Sequence, residues 1–278
     1  MTLQHTVKKA SQFLKEKNIL SHELDAEIIL SDIMGVSREF LITNNHINIS
    51  KKILNKYDEA IKRRVKKEPV AYITGKKEFW STDFYVNQST LVPRPETELL
   101  IYKVIDFFKN KKINVLDIGT GSGCILLSVL KELHNSYGIG IDISSKAIKM
   151  ARKNSKNLNL HHRSEFKVFD LNKFDYGKYD LIISNPPYVP TNDIKKLSKD
   201  ITDYEPKLAL DGGSDGLDLI KKVIYKSSNL LKANGLFALE IGFDQYKKVS
   251  NILKQFKFRE IDKKFDYKKN VRCIISTK

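Results

Sequence analysis

The chain has 278 residues, of which 41% are hydrophobic and 29% are charged, a composition typical of a soluble globular protein. It contains no apolar run long enough to cross a bilayer and no apolar signal core near its start, so we expect a cytoplasmic protein without a membrane partner. The net charge of +16 favours encounters with polyanions such as RNA, but scattered surface lysines produce the same value.

The first 67 residues show helical periodicity and few strand signals. Apolar residues recur every three or four positions in three stretches, which begin near the start of the chain, at Ser21 or His22, and at Ser50. Gly35 follows the last apolar turn of the second stretch, where glycine commonly ends a helix. We therefore predict a small helical-bundle domain over residues 1–69.

Residues 70–95 have a different character. Aromatic and branched residues cluster near positions 79, 85 and 91, which predicts two short strands or a β-hairpin. The segment Pro93-Arg94-Pro95 closes this β-hairpin linker. Glu96 and Glu98 then open a helix, because acidic side chains suit a helix amino end. The third domain is predicted over residues 96–278.

From Asn114 onward, strand and helix patterns alternate, which is typical of a parallel sheet covered by helices. The last two strands have no helix between them and so predict a terminal antiparallel pair. The sequence therefore predicts an α/β fold with seven strands. They are expected within residues 115–118, 139–142, 166–169, 181–183, 236–240, 259–262 and 271–276.

Cysteine and histidine usage argues against a metal centre. The two cysteines, Cys124 and Cys273, are far apart in the sequence and form no redox or ligand motif. His161 and His162 are adjacent, but no HxxxH spacing occurs. We predict no metal site.

A glycine-rich turn lies between the first strand of this sheet and the helix after it. Glycines allow a tight turn and let backbone N–H groups approach a ligand at a helix amino end. The GxGxG spacing differs from the GxGxxG of dinucleotide-binding folds, and no GK[ST] follows it, so neither that fold nor a P-loop is indicated. The candidate cofactor-binding residues in this turn are Gly119, Thr120, Gly121, Ser122 and Gly123.

Three aspartates accompany the glycine turn. Asp142 ends the second strand, where a carboxylate can accept hydrogen bonds from ribose hydroxyls. Asp170 follows the third strand and could accept an adenine amine, while Asp117 lies inside the first strand close to the turn. Helix caps and turns remain alternatives for these residues. Together, the turn and the carboxylates suit a nucleoside without phosphate, such as S-adenosylmethionine.

The most informative motif is Asn185-Pro186-Pro187-Tyr188, which directly follows the fourth strand. The prolines have no N–H, so their carbonyls are left to face a ligand. Asn185 Oδ1 and the Pro186 carbonyl can accept both N–H bonds of an amide or exocyclic amine, and the Tyr188 ring offers a stacking face. A strand-ending turn is the alternative.

These motifs together resemble the protein-(glutamine-N5) methyltransferase family that modifies peptide chain release factors. The GxGxG turn is shared by most class I, Rossmann-like methyltransferases, and NPPY narrows the class to methylation of amide and amine nitrogens. The flanking segments are more specific to the family, and the resemblance covers essentially the whole chain. The matching segments are LVPRPETE (91–98), LDIGTGSG (116–123), GIDIS (140–144), SNPPYV (184–189), YEPKLAL (204–210), DGGSDGLD (211–218) and LEIG (239–242).

The resemblance implies that the glycine turn, Asp142 and Leu171 contact S-adenosylmethionine, with Asn185 close to it. Leu171 stands where a family member can carry an aromatic residue. The NPPY residues are implied to hold the glutamine of a Gly-Gly-Gln loop in the release factor, and the helical domain to help grip that protein partner. Arg94, Glu96 and Glu98 are implied to shape the site wall, and Glu205 and Pro206 to order a loop over it.

Two other functions are compatible with the same motifs. An adenine-N6 or other nucleic-acid methyltransferase can use NPPY in the same way, and the positive charge favours it, as it favours transient proximity to the ribosome or RNA. No target-recognition domain is evident after the catalytic half, which argues against it. An RNA-binding module with a vestigial cofactor fold is the third reading, and the intact turn and NPPY argue against that.

Overall fold

A computed structural model describes all residues from 1 to 278 and divides the chain into two compact units. The first unit consists of residues 1–76 and 198–204, and the second of residues 77–197 and 205–278. The first unit extends past the predicted bound at 69, and residues 70–74 form a helix within it. The predicted linker does not form a separate unit, since residues 77–95 belong to the second unit. No helix is both long and apolar enough to cross a membrane.

The first unit is helical. Thr2, Ser37 and Ser50 begin helices by accepting a backbone N–H with their side-chain oxygens, and Gly35 ends a helix in the left-handed conformation, as its position in the sequence predicts. The helices are α1 (Leu3–Glu16), α2 (His22–Met34), α3 (Arg38–Thr43), α4 (Lys51–Val65), α5 (Val70–Thr74) and, from the second segment, α9 (Lys199–Thr202).

A buried ion pair lies between two helices of the first unit. Arg64 Nε of α4 is 2.6 Å from Asp25 Oδ2 of α2, and the two side chains are only 11% and 7% exposed. Ser21 Oγ also donates to Asp25 Oδ2, and Arg64 donates to the Glu68 carbonyl. These hydrogen bonds compensate the desolvation that burial of two charges imposes.

The second unit begins with a hairpin and is organised around a seven-stranded sheet. The strand order is β5-β4-β3-β6-β7-β9-β8, with β3 to β7 parallel and β9 antiparallel to both β7 and β8. The predicted seven strands and the antiparallel end are confirmed. The strands are β1 (Lys76–Phe79), β2 (Thr82–Tyr85), β3 (Asn114–Ile118), β4 (Tyr137–Asp142), β5 (Ser164–Val168), β6 (Tyr179–Ser184), β7 (Leu231–Glu240), β8 (Arg259–Phe265) and β9 (Val271–Thr277).

Helices cover both faces of this sheet and bury two apolar clusters. The centres of β3 and β6 are fully buried, as expected for parallel strands that are covered on both faces. Leu91 and Val92, which the sequence places near a strand, lie outside any strand. The helices are α6 (Glu98–Phe108), α7 (Cys124–Glu132), α8 (Ser145–Asn157), α10 (Asp218–Leu230) and α11 (Tyr246–Gln255).

The strand order reverses between β3 and β6, because β4 and β5 lie on one side of β3 whereas β6 and β7 continue on the other. In doubly wound sheets, ligands bind at the carboxyl ends of the strands at such a switch point. The register pairs Ile118 with Ser184, so the segments after β3 and β6 start side by side.

We predict that removal of the Asp25 carboxylate destabilises the helical unit strongly. Asp25→Ala leaves the Arg64 charge buried without its partner, which costs about 3–5 kcal/mol. Glu27→Ala breaks the more exposed pair with Arg38 and should cost about 0–1 kcal/mol. Amide hydrogen exchange in α2 and α4 measures both effects, and equal protection in the two variants would contradict the prediction.

Candidate active site

The glycine turn forms the floor of a cavity of about 390 Å³ at the carboxyl ends of β3, β4 and β6. Gly119, Gly121 and Gly123 have φ of 75°, 55° and 79°, a region that other residues rarely adopt. A Cβ on Gly119 or Gly121 would meet nothing within 4 Å, so both backbones border open space. A Cβ on Gly123 would lie 3.1 Å from Phe166, which shows that this glycine serves packing behind the turn.

Buried side chains hold the turn in place. Thr120 Oγ1 donates to Asp117 Oδ2 at 2.6 Å, and Asn154 Nδ2 of α8 donates to the Ser122 carbonyl at 2.8 Å. Burial raises the pKa of Asp117 to about 7, partly offset by the Thr120 hydrogen bond. Asp117 therefore orients the turn from behind, and it is not one of the residues that line the cavity.

Asp142 lies at the end of β4 and lines the cavity. Its Oδ2 accepts from the Gly121 N–H at 2.9 Å and its Oδ1 from the Ser144 N–H at 2.8 Å. Burial raises the pKa of this carboxyl, while these backbone donors act in the opposite direction. Each oxygen retains a further lone pair, so the carboxylate can still accept hydrogen bonds from a ligand.

Asp170 and Leu171 line the neighbouring wall with Phe169. Asp170 is the cap of a short 3₁₀ turn, since its Oδ1 accepts from the Asn172 N–H at 2.9 Å. It lies two residues beyond β5, which ends at Val168. Leu171 and Phe169 are half-buried and add apolar surface to this wall.

The NPPY segment borders the same cavity as Asp142. Asn185, Pro186 and Pro187 line it, whereas Tyr188 does not. Asn185 Nδ2 donates one hydrogen bond to Thr97 Oγ1 at 3.2 Å, and the amide oxygen can accept a hydrogen bond from a ligand. The backbone after the motif is fixed to the following loop, because the Val189 N–H donates to the Leu210 carbonyl at 3.0 Å.

Tyr188 instead belongs to a buried polar cluster behind the cavity. Its hydroxyl donates to Glu240 Oε1 at 3.3 Å and accepts from the Arg272 guanidinium at 2.9 Å. Burial and the Glu240 charge raise the pKa of Tyr188 above its usual range, so the phenol stays protonated at neutral pH. Thr97, Glu240 and Arg272 were not among the residues predicted as functional, although Thr97 and Glu240 lie within the quoted PRPETE and LEIG motifs.

The segment after Tyr204 closes one side of the cavity. Arg94 pairs with Glu205 at 2.5 Å, and Glu205 Oε2 also accepts the Val92 N–H. Pro206 and Arg94 line the cavity, whereas Glu96 and Glu98 do not. Glu98 instead accepts the Trp80 N–H at the turn of the β1–β2 hairpin.

The lining fits a nucleoside without phosphate. Its basic side chains are Arg94, which is paired with Glu205, and Lys222, so no cluster of cations is available for phosphates. The open glycine backbone and the lone pairs of Asp142 suit a ribose, and the Phe169–Leu171 wall suits a flat apolar base. These features match S-adenosylmethionine.

Comparisons with known proteins agree with this geometry. A family profile described as "PrmC N-terminal domain" matches residues 5–75, and one described as "Methyltransferase domain" matches residues 109–277. A protein of Clostridium acetobutylicum named release factor glutamine methyltransferase is 38% identical over 100% of this chain and 99% of its own length. The chain belongs to the release factor glutamine methyltransferase family.

Further members of the release factor glutamine methyltransferase family align over the same range. A relative of that name from Caulobacter vibrioides is 36% identical, over 100% of this chain and 97% of its own. Among solved structures, the hMettl16 catalytic domain in complex with MAT2A 3'UTR hairpin 6 superposes with a TM-score of 0.57 at 15% identity, over 83% of both chains, and shows the shared fold alone. The chain is an S-adenosyl-L-methionine-dependent methyltransferase.

We predict that Asp117 makes the protein less stable as pH rises from about 4 to about 7. Between these pH values the folded state keeps the Asp117 proton, whereas the unfolded state has released it. The stabilisation from this proton is present at about pH 4 and is lost as pH rises through the folded pKa. Asp117→Asn removes this dependence. The wild-type-minus-variant difference in free energy of unfolding, measured by urea titration, should change by about 1.4 kcal/mol per unit of pKa shift.

Thr120→Val is the matched variant, because it removes a hydrogen bond that lowers the Asp117 pKa but keeps the titrating group. The pH dependence should then extend to higher pH. Identical profiles for wild type and Asp117→Asn would contradict the assignment.

Proposed function

We propose that this enzyme transfers a methyl group from S-adenosyl-L-methionine to the side-chain amide nitrogen (N5) of the glutamine in the Gly-Gly-Gln loop of peptide chain release factors. It thereby supports translation termination. The observation that carries the proposal is that Asn185 and Pro186 line the same cavity as the glycine turn and Asp142.

Residues on one side of the cavity would hold the cofactor. Backbone groups of Gly119 to Ser122 border its floor, Asp142 would accept the ribose hydroxyls, and Leu171 with Asp170 would contact the adenine. Gly123 would act through the shape of the turn. When bound, S-adenosylmethionine supplies an electrophilic methyl group on a sulfonium sulfur.

Residues on the other side would prepare the glutamine. An amide nitrogen is a poor nucleophile because its lone pair is delocalised into the carbonyl. Asn185 Oδ1 and the Pro186 carbonyl would accept its two N–H bonds, favour a pyramidal nitrogen and stabilise the positive charge that develops there. Holding the nitrogen in one place also supplies orientation. The bound cofactor would supply the methyl group, with the N–C bond forming as the C–S bond breaks, and the nitrogen would lose one of its two protons afterwards.

Tyr188 would position the motif rather than remove a proton. Its hydroxyl is held between Arg272 and Glu240, and its raised pKa keeps it protonated. No general base is required before transfer, because a methylated amide nitrogen that still carries both protons is strongly acidic. Pro187, which also lines the cavity, would add a rigid apolar surface beside the glutamine.

We propose that the helical domain, predicted over residues 1–69, grips the release factor. We also propose that the enzyme acts in the cytoplasm and that its charge of +16 allows transient proximity to the ribosome or RNA.

Incubation with methyl-labelled S-adenosylmethionine tests the function directly. Purified release factor and ribosomal RNA serve as parallel substrates, and tandem mass spectrometry locates the label. The proposal expects one added methyl group on the loop glutamine. Label on RNA alone would support a nucleic-acid methyltransferase instead, and no label on either would refute catalysis.

We predict that substitutions at Asn185 and Asp142 affect different quantities, namely the turnover number and the affinity for the cofactor. Asn185→Ala removes an acceptor of the developing charge, so kcat should fall by about 10²–10³-fold with much of the cofactor affinity retained. Asp142→Ala should mainly weaken cofactor binding, measured by calorimetry. Normal turnover by Asn185→Ala would refute the proposed clamp.

A further inference from the structure

A chain of hydrogen bonds connects a buried carboxylate to the side-chain amide of Asn185. Glu240 is the last residue of β7 and is fully buried. Thr97 Oγ1 donates to Glu240 Oε2 at 2.7 Å, and Asn185 Nδ2 donates to Thr97 Oγ1 at 3.2 Å. The β6–β7 register, which pairs Ser184 with Leu239, brings Asn185 and Glu240 to the same edge of the sheet.

The direction of this chain follows from the chemistry of its members. An ionised carboxylate only accepts hydrogen bonds, so the single hydroxyl proton of Thr97 must go to Glu240. Thr97 can then only accept from Asn185. An asparagine amide has two orientations that exchange its oxygen and nitrogen, and this chain permits one of them, with the nitrogen at Thr97.

The other Glu240 oxygen faces groups that favour the charged form of the carboxylate and so oppose the effect of burial on its pKa. Tyr188 donates to Oε1, and the Arg272 guanidinium lies 3.9 Å from the same atom. Burial raises the pKa of Glu240, while the Thr97 hydrogen bond and the Arg272 charge act in the opposite direction and Glu96 adds to the increase. Cys273 is paired with Glu240 in the sheet, and burial and the Glu240 charge raise the pKa of its thiol.

We propose that Thr97 and Glu240 are positioning residues that lock the Asn185 amide with Oδ1 toward the substrate, and thereby select an N–H-bearing amide over a carboxylate or carbonyl. The inference rests on the proposed function. A locked acceptor binds the NH₂ end of glutamine and repels glutamate, which has no N–H. A reversed Asn185 would instead present its own NH₂ group and accept the oxygen end of either side chain.

Thr97→Val tests the lock with little change in volume. Loss of the hydroxyl should lower kcat by about 10- to 100-fold, because a hydrogen bond to a charged group is removed. The dissociation constant for the cofactor should change less than about threefold, since the glycine turn and Asp142 are untouched. Thr97→Ser keeps the hydroxyl and should retain most of the activity.

Glu240→Gln is the second variant and keeps the shape of the side chain. A glutamine amide can donate to Thr97, which lets Thr97 donate to Asn185 and reverses the chain. We expect a similar loss of kcat. Because both substitutions break the same chain, the double variant should be little worse than the more impaired single variant.

Selectivity for the substrate separates positioning from general damage. A glutamine-containing loop peptide is the substrate, and the same peptide with glutamate is the competitive inhibitor. The preference is the ratio of the inhibition constant of the glutamate peptide to the KM of the glutamine peptide, and it should be large in the wild type. This ratio should fall by at least about tenfold in Thr97→Val and Glu240→Gln, which is the equivalent of one lost hydrogen bond.

The outcomes are distinguishable. Unchanged preference in both variants, or a Thr97→Ser variant as impaired as Thr97→Val, would overturn the positioning role while leaving the proposed function intact. No methylation of the glutamine peptide or of the intact release factor by wild type would overturn the function, and this inference with it.

Discussion

The parallel pairing of β3 with β6 places Ile118 opposite Ser184, and the site depends on that register. It makes the glycine turn and the NPPY segment leave the sheet side by side, at the point where the strand order reverses. Ser184 Oγ donates to the Ile118 carbonyl at 2.7 Å and ties the two strand ends together. A slip of one residue would turn Asn185 away from the cavity.

Behind this junction, the fold keeps charged groups in its interior. Glu240 is fully buried, and its hydroxyl and guanidinium partners come from three other segments of the chain. Such clusters contribute little net stability, and here Arg272 Nε is buried without a hydrogen-bond partner. Both Glu240 oxygens accept hydrogen bonds, which fixes the positions of the Thr97 and Tyr188 hydroxyls. In this protein the arrangement reaches the side chain that would contact the substrate, which gives the buried charge a functional reason.

The alternation of strands and helices, and the glycine and NPPY motifs, could be read from the sequence because they are local patterns. Partnerships between distant residues could not. Thr97 lies in the quoted PRPETE segment and Arg272 lies in no quoted motif, but the roles of both depend on Glu240, 143 and 32 residues away in the sequence. Tyr188 offered a plausible stacking face, yet its hydroxyl partners hold it outside the cavity lining. Residues 198–204 belong to the helical unit although they lie far from its first segment in the sequence, so no local pattern predicts their membership.

In the proposed mechanism, Asn185 presents its amide oxygen to a substrate nitrogen. A crystal structure with S-adenosylhomocysteine and a Gly-Gly-Gln peptide would show this contact. We expect the glutamine nitrogen within hydrogen-bond distance, about 2.7–3.2 Å, of both Asn185 Oδ1 and the Pro186 carbonyl oxygen. A glutamine bound with its carbonyl oxygen against Asn185, or one bound away from this cavity, would contradict it.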